Sequence, residues 1–193
     1  MGLEEEKVTL KWIESAGGPL ILLPVELLPS WQGINSSSDG RAIEARFRWD
    51  PNGPATDYDR AVDVEALIGV IAVGTGEGLV LWGEPLRTSW WPYPQHPDET
   101  GLLIRWVCAE SEDNVLQSLS IAPMSVFGKP EVSFFAGSGN LLLFDAATPG
   151  DKVLVNETEH LRILLHPGKY ASRTAQQDHG ATRLILHRLQ LIG

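Results

Sequence analysis

The chain has 193 residues, 43% of them hydrophobic, and a formal net charge of −10. No apolar run approaches the roughly 20 residues of a membrane-spanning helix, so a helical membrane protein is excluded. The acidity argues against direct nucleic-acid binding, which needs basic stripes, and the single cysteine, Cys108, cannot form an internal disulfide.

In chain order, the N-terminal MGLEEEKVTLKW opens acidic and has no long apolar core, so no signal peptide is expected and the cytoplasm is the expected compartment. Lys11–Ser15 reads as a strand, Ala16-Gly17-Gly18-Pro19 as a turn and Leu20–Leu23 as a second strand, together a hairpin. Pro24–Pro29 is bracketed by prolines and reads as a short helical turn, with Trp31 plugging the core after it. Asn35–Gly40 is a loop. Ile43, Ala45, Phe47 and Trp49 alternate with Glu44, Arg46 and Arg48, the period-two pattern of a half-exposed strand, and Asp50-Pro51-Asn52-Gly53-Pro54 ends it.

The central stretch, Asp57–Trp91, organises the rest. Tyr58, Ala61, Val62 and Ala66 recur at helical spacing, with Asp57 placed to cap the first turn. The apolar runs Leu67–Val73 and Leu79–Trp82 flank Gly74-Thr75-Gly76-Glu77-Gly78, a hairpin signal. Both runs are almost unbroken, which predicts cover on both faces. Leu86–Trp91 is a further strand; its adjacent Trp90 and Trp91 point to opposite faces. Trp91–Thr100 is a proline-rich loop and Leu102–Val107 a strand, within whose pattern Cys108 reads as a buried structural thiol. Ser111 caps a helix whose first turn is acidic and whose apolar face is Val115, Leu116 and Leu119. Strands follow at Val132–Ala136, Leu141–Phe144, Leu161–Leu165, Tyr170–Ala175 and Arg183–Leu191. The reading is a mostly β, α+β fold: antiparallel sheets, meander- or sandwich-like, with about two short helices. It forms one domain over 1–193, or two merged halves of about 1–125 and 126–193.

Charge is uneven. From His160 onward Arg162, Lys169, Arg173, Arg183 and Arg188 stand against Asp178 alone, a formal +4, so the rest carries −14. Asp57, Asp59, Asp63 and Glu65 cluster. They read as a helix cap with a solvated face, as an acidic docking patch, or as oxygen ligands for a divalent metal, although no glycine-punctuated calcium loop follows. Gly74–Gly78 leads into a strand rather than a helix and so is not a dinucleotide fingerprint. His96, His160, His166, His179 and His187 show no zinc spacing, and no Gly-x-Ser-x-Gly elbow is present. No catalytic residue, metal or cofactor is expected. Among the seven tryptophans, Trp12, Trp31, Trp82 and Trp106 read as core. Trp49, Trp90 and Trp91 lie at strand ends or beside loops, where tryptophan often anchors partners; Trp91 and Tyr93, with the adjacent prolines, read as a rigid contact loop or as simple loop packing.

The succession WIESAGGPLILLP, LLPSW, DYDRAVDV, GVIAVGTGEGLVLWGEPLRTSWWP, GLLIRWVCAES and LFDAATPGD resembles the Immunity protein 21 family, bacterial proteins encoded beside polymorphic toxins, from about Trp12 to about Leu191. The resemblance implies a cytoplasmic, non-enzymatic antidote that binds and blocks a cognate toxin domain, with no catalytic residues to carry over. The expected partner is that toxin, a basic nuclease domain fitting the acidic charge, with no nucleic acid or membrane bound directly. Asp57, Asp59, Asp63 and Glu65 are expected to meet its basic face, and Trp90, Trp91 and Tyr93 to anchor the contact. Two other classes stay open: a β-rich small-ligand or carbohydrate-binding module, and a metal-dependent enzyme using the Asp57–Glu65 cluster.

Overall fold

A computed structural model describes residues 10–38, 44–93, 100–121, 127–155 and 159–193. Its strands are β1 (Leu20–Pro24), β2 (Ile68–Val73), β3 (Gly76–Leu81), β4 (Arg87–Pro92), β5 (Thr100–Cys108), β6 (Val132–Phe135), β7 (Asn140–Asp145), β8 (His160–Leu164), β9 (Lys169–His179) and β10 (Thr182–Leu191). A 3-10 turn covers Val25–Ser30, and the α-helices are α1 (Asp57–Val62), α2 (Glu112–Ile121) and α3 (Gly150–Val153). The strands form two five-stranded sheets, ordered β2-β3-β1-β7-β8 and β4-β5-β10-β9-β6, with antiparallel pairing throughout. The fold is therefore mostly β; the first sheet joins strands from Leu20 to Leu164, and the second takes its strands from Arg87 onward.

The alternation of side chains along each strand sorts the apolar residues into three layers. Leu20 and Leu22 of β1 point inward, with Leu79, Leu81, Leu141 and Leu143 of their own sheet, and meet Leu103, Phe134, Tyr170 and Leu189 of the other sheet. Ile21 and Leu23 point outward with Val80, Leu142 and Phe144. There the 3-10 turn, Trp31, Tyr58 and Ala61 of α1, and Val153 of α3 cover them. On the outer face of the second sheet, Leu102, Ile104, Leu184 and Leu186 lie under Val115 and Leu119 of α2. Strands covered on both faces need apolar residues at every position, which is why their runs are continuous. Trp31, fully buried, donates its indole N–H to the Ala146 carbonyl at 3.1 Å. Trp90 packs on the core between the sheets and Trp91 on the α2 side, each with its own cover.

Several sequence expectations are corrected. Lys11–Ser15 is not a strand of a hairpin; only Ile13 makes an isolated bridge, to Thr88, and β1 pairs with β3 and β7. The described part of the Ile43–Trp49 segment, residues 44–49, is irregular; its alternation reflects a clamped loop, described below. The middle of the chain is not a meander, because β3 and β4 belong to different sheets. The β2 run is covered less completely than expected, as β2 is an edge strand with a half-exposed middle. Helix α1 stops at Val62, leaving Ala66 exposed beyond it. Cys108 is exposed at the end of β5. Of the four tryptophans read as core packing, Trp31 is fully buried and Trp12 and Trp106, though half-buried, pack against the core on the α2 side, while Trp82 is half-buried. Asp39–Ile43, residues 94–99 with His96, and Pro123 lie outside the described residues.

Candidate functional site

The site is assembled by α1. Its N-cap is Thr56, not Asp57: the Thr56 hydroxyl accepts from the Asp59 N–H at 3.2 Å, and the Asp59 carboxylate accepts from the Thr56 N–H at 2.8 Å. This reciprocal pair satisfies two N–H groups that a helix start otherwise leaves open. Asp57, one residue inside, is fully buried. Its carboxylate accepts from the Ser38 N–H (2.8 Å), the Ser38 hydroxyl (2.7 Å), the Gln32 N–H (2.9 Å) and Arg60 (2.6 Å). A buried carboxylate requires such compensation, and the effect is to tie the segment after Trp31 to the helix.

The second oxygen of Asp59 accepts from the Trp49 N–H at 2.8 Å. Asp63 accepts from the N–H groups of Arg46 and Phe47, and Glu65 pairs with the Arg46 guanidinium at 2.6 Å. Asp59 in α1 and Asp63 just past its end thus hold the backbone of residues 46–49, and Glu65 holds the Arg46 side chain. The rings this loop carries are displayed: Trp49 is 63% exposed and Phe47 37%. Both stand edge-on to Tyr58, with centroids 6.1 Å and 6.3 Å away, an arrangement favoured by the ring quadrupoles.

Beside Trp49 and Tyr58 opens a cavity of about 210 Å³, lined by both and also by Gly17, Gly18, Ile34, Asp145 and Ala147. Asp145, at the end of β7, also borders a neighbouring cleft of about 410 Å³ that contains Glu14 and Glu159. The Tyr58 hydroxyl is pushed up from its ordinary pKa, first by burial and then by the charges of Asp145 and Asp59. Among the described residues no group of three or more His, Cys, Asp or Glu side chains is arranged to hold a metal ion. No helix there is long and apolar enough to cross a membrane.

The expected site residues fall on two separate faces. Asp57, Asp59, Asp63 and Glu65 lie with α1 over the first sheet, whereas Trp91 packs on the α2 side of the second sheet, 6.4 Å between ring centroids from Tyr93. Trp90 points between the sheets. Sequence reading missed Ile34 and Asp145. Ile34 sits in a loop with no periodic signal, and Asp145 follows an apolar strand just before a turn, where an aspartate is ordinary.

The model of the family described as Immunity protein 21 matches residues 11–182 of this chain. No curated protein and no solved structure matches it.

Proposed function

The chain belongs to the Immunity protein 21 family, and we propose that it binds and neutralises a cognate bacterial toxin domain in the cytoplasm, without catalysing a reaction. The observation that carries this reading is the mounting of Trp49. A large ring 63% exposed to water is held on a backbone fixed by Asp59 and Asp63. Exposed aromatics on rigid supports are the residues that anchor protein interfaces, and preorganisation reduces the ordering cost of binding.

In this proposal the acidic cluster divides its labour. Asp57 and Asp59 act from behind the surface, while Asp63 and Glu65 lie at the rim of the contact and Trp49 and Phe47 at its centre. The net charge of −10 favours a basic partner, and a nuclease, which must present cations to phosphates, is the toxin class that fits best. Trp91 and Tyr93, with Trp90 supporting them from the core, form a second candidate contact on the opposite face.

The test is co-expression with the toxin encoded beside this gene. Wild-type protein is expected to restore viability and co-purify with the toxin. Trp49→Ala is expected to weaken the complex at least about tenfold, and Trp91→Ala to leave it nearly unchanged. Loss of binding in Trp91→Ala but not in Trp49→Ala would move the contact to the second sheet. Toxicity without rescue by the wild type would end the immunity reading.

A further inference from the structure

We infer that the cavity lined by Trp49, Tyr58 and Asp145 receives a cationic side chain of the partner, an arginine or lysine, whose charge is set against Asp145. The inference rests on the toxin-binding reading and names the chemistry of the group that the site takes from the toxin.

The cavity, about 210 Å³, suits one long side chain rather than a metabolite, since small-molecule pockets usually run from about 300 Å³ upward. Trp49, Tyr58, Gly17 and Gly18 are among its lining residues. A Cβ built at Gly18 would overlap the Tyr58 ring, so this position must be bare for the ring to lie where it does. At one side stands the Asp145 carboxylate. One oxygen accepts from the Ala16 N–H at 2.8 Å and the other from the Ala147 N–H at 2.9 Å. Those bonds fix the group, and each oxygen keeps a free lone pair for a further donor.

Among the described residues no lysine, arginine or histidine lines this cavity or the adjoining cleft, whose acids are Glu14, Asp145 and Glu159. Burial first, and then the charges of Asp145 and Asp59, push the Tyr58 hydroxyl up; the carboxylate part of that effect favours a cation. An apolar side chain filling the space would strip water from Asp145 and supply no partner, which is costly. An acidic one would be repelled. A cation over the face of Trp or Tyr gains from the ring quadrupole. A guanidinium adds planar stacking and a fork of donors that fits a carboxylate, so arginine is favoured over lysine.

The experiment uses the full chain and the toxin encoded beside it, with Kd measured for wild type, Asp145→Asn and Ile34→Arg. The second variant places a cation of the chain's own at the cavity mouth, on a residue that is 41% exposed and therefore tolerant of change. Thermal melts and circular dichroism confirm that each variant is folded. Both are expected to bind about tenfold or more weakly. One toxin arginine or lysine, replaced by alanine, should weaken the wild-type complex to a similar extent yet add little to Asp145→Asn, the mark of a direct pair. If the folded variants bind within about twofold of wild type, or if no toxin cation couples to Asp145, the inference is overturned while toxin binding stands. If wild-type protein fails to bind the toxin at all, the functional reading falls and this inference with it.

Discussion

Asp59 accepts a hydrogen bond from the Trp49 backbone N–H at 2.8 Å, and the carboxylate is buried while the indole it positions is 63% exposed. One acid therefore does two things at once: it closes the capping box of α1 and fixes the loop that carries the most exposed tryptophan. The pairing separates stability from recognition, because the two residues sit at the two ends of one linkage.

Alanine at Asp59 and alanine at Trp49 should consequently behave in opposite ways. Asp59→Ala removes the capping interaction and leaves the N–H groups of Thr56 and Trp49 without their carboxylate, at a cost of about 2–3 kcal/mol. Trp49→Ala loses only an edge-on ring contact on an exposed side chain, about 1 kcal/mol or less. Urea unfolding monitored by far-UV circular dichroism decides between them. Equal midpoints for the two variants would show that the carboxylate does not hold the loop.

How much of this was legible beforehand differs from residue to residue. The unbroken apolar run at Leu79–Trp82 announced a strand covered on both faces, and β3 is such a strand, whereas Leu67–Val73, read the same way, became the half-exposed edge strand β2. Leu20–Leu23 and Leu141–Phe144 announced strands, and β1 and β7 are there. Trp31 was legible as core, and Ser111 as a cap: its hydroxyl accepts from the Asn114 N–H at 3.3 Å. What failed is non-local. Leu20–Leu23 pairs with β3 and β7, far along the chain, which no turn signal at Gly17-Gly18 can announce. Alternation from Ile43 to Trp49 reads as a strand because a period of two says nothing about what bonds the backbone; here carboxylates of α1 do so in place of a neighbouring strand. Asp145 joined the site only because β7 ends beside Tyr58 in space.

Cys108, exposed at the end of β5, should react with a thiol-specific reagent in the native protein as readily as in urea, within a few-fold. Strong protection in the native state, released by denaturant, would place the thiol in the interior after all.

Gly101 lies directly beneath the Trp90 ring, and a Cβ there would overlap the indole. Gly101→Ala should therefore displace Trp90 from the core between the sheets and cost about 1–3 kcal/mol, accompanied by a change in tryptophan fluorescence. A folded variant with wild-type stability and emission would show that the ring is not seated on the glycine.

His187 supplies a pH dependence. Its Nδ1 lies 3.0 Å from the Thr174 hydroxyl, and that hydroxyl donates to Glu131 at 2.8 Å. With the threonine proton committed to Glu131, the imidazole donates from Nδ1 and keeps Nε2 as a lone pair. Burial first, and then the charge of Arg105, push this histidine from its ordinary 6.5 down to about 3. The unfolded chain thus binds a proton near pH 6.5 that the folded chain refuses. The corresponding stability is fully present above pH 6.5 and declines as pH falls toward 3. Between pH 7 and pH 5 the loss is about 2 kcal/mol. Urea unfolding of wild type and His187→Leu at these two pH values should show the slope flattened by that amount in the variant; parallel slopes would remove His187 as the cause.

Charge and aromatic contact should separate in the kinetics of toxin binding. The net charge of −10 acts at a distance, on encounter, and salt screens it over roughly 8–10 Å. Raising ionic strength should therefore slow association by about tenfold while changing dissociation little. Trp49 acts only once its ring is desolvated against the partner, so Trp49→Ala should leave association within about threefold and speed dissociation by about tenfold or more. The Glu65→Gln variant, altered at an exposed acid that pairs with Arg46, should resemble the salt effect in a smaller measure. Stopped-flow association and displacement experiments at two salt concentrations distinguish these contributions. Should salt act mainly on dissociation, the carboxylates would be making direct contacts rather than steering, and the rim would have to be counted as part of the anchor.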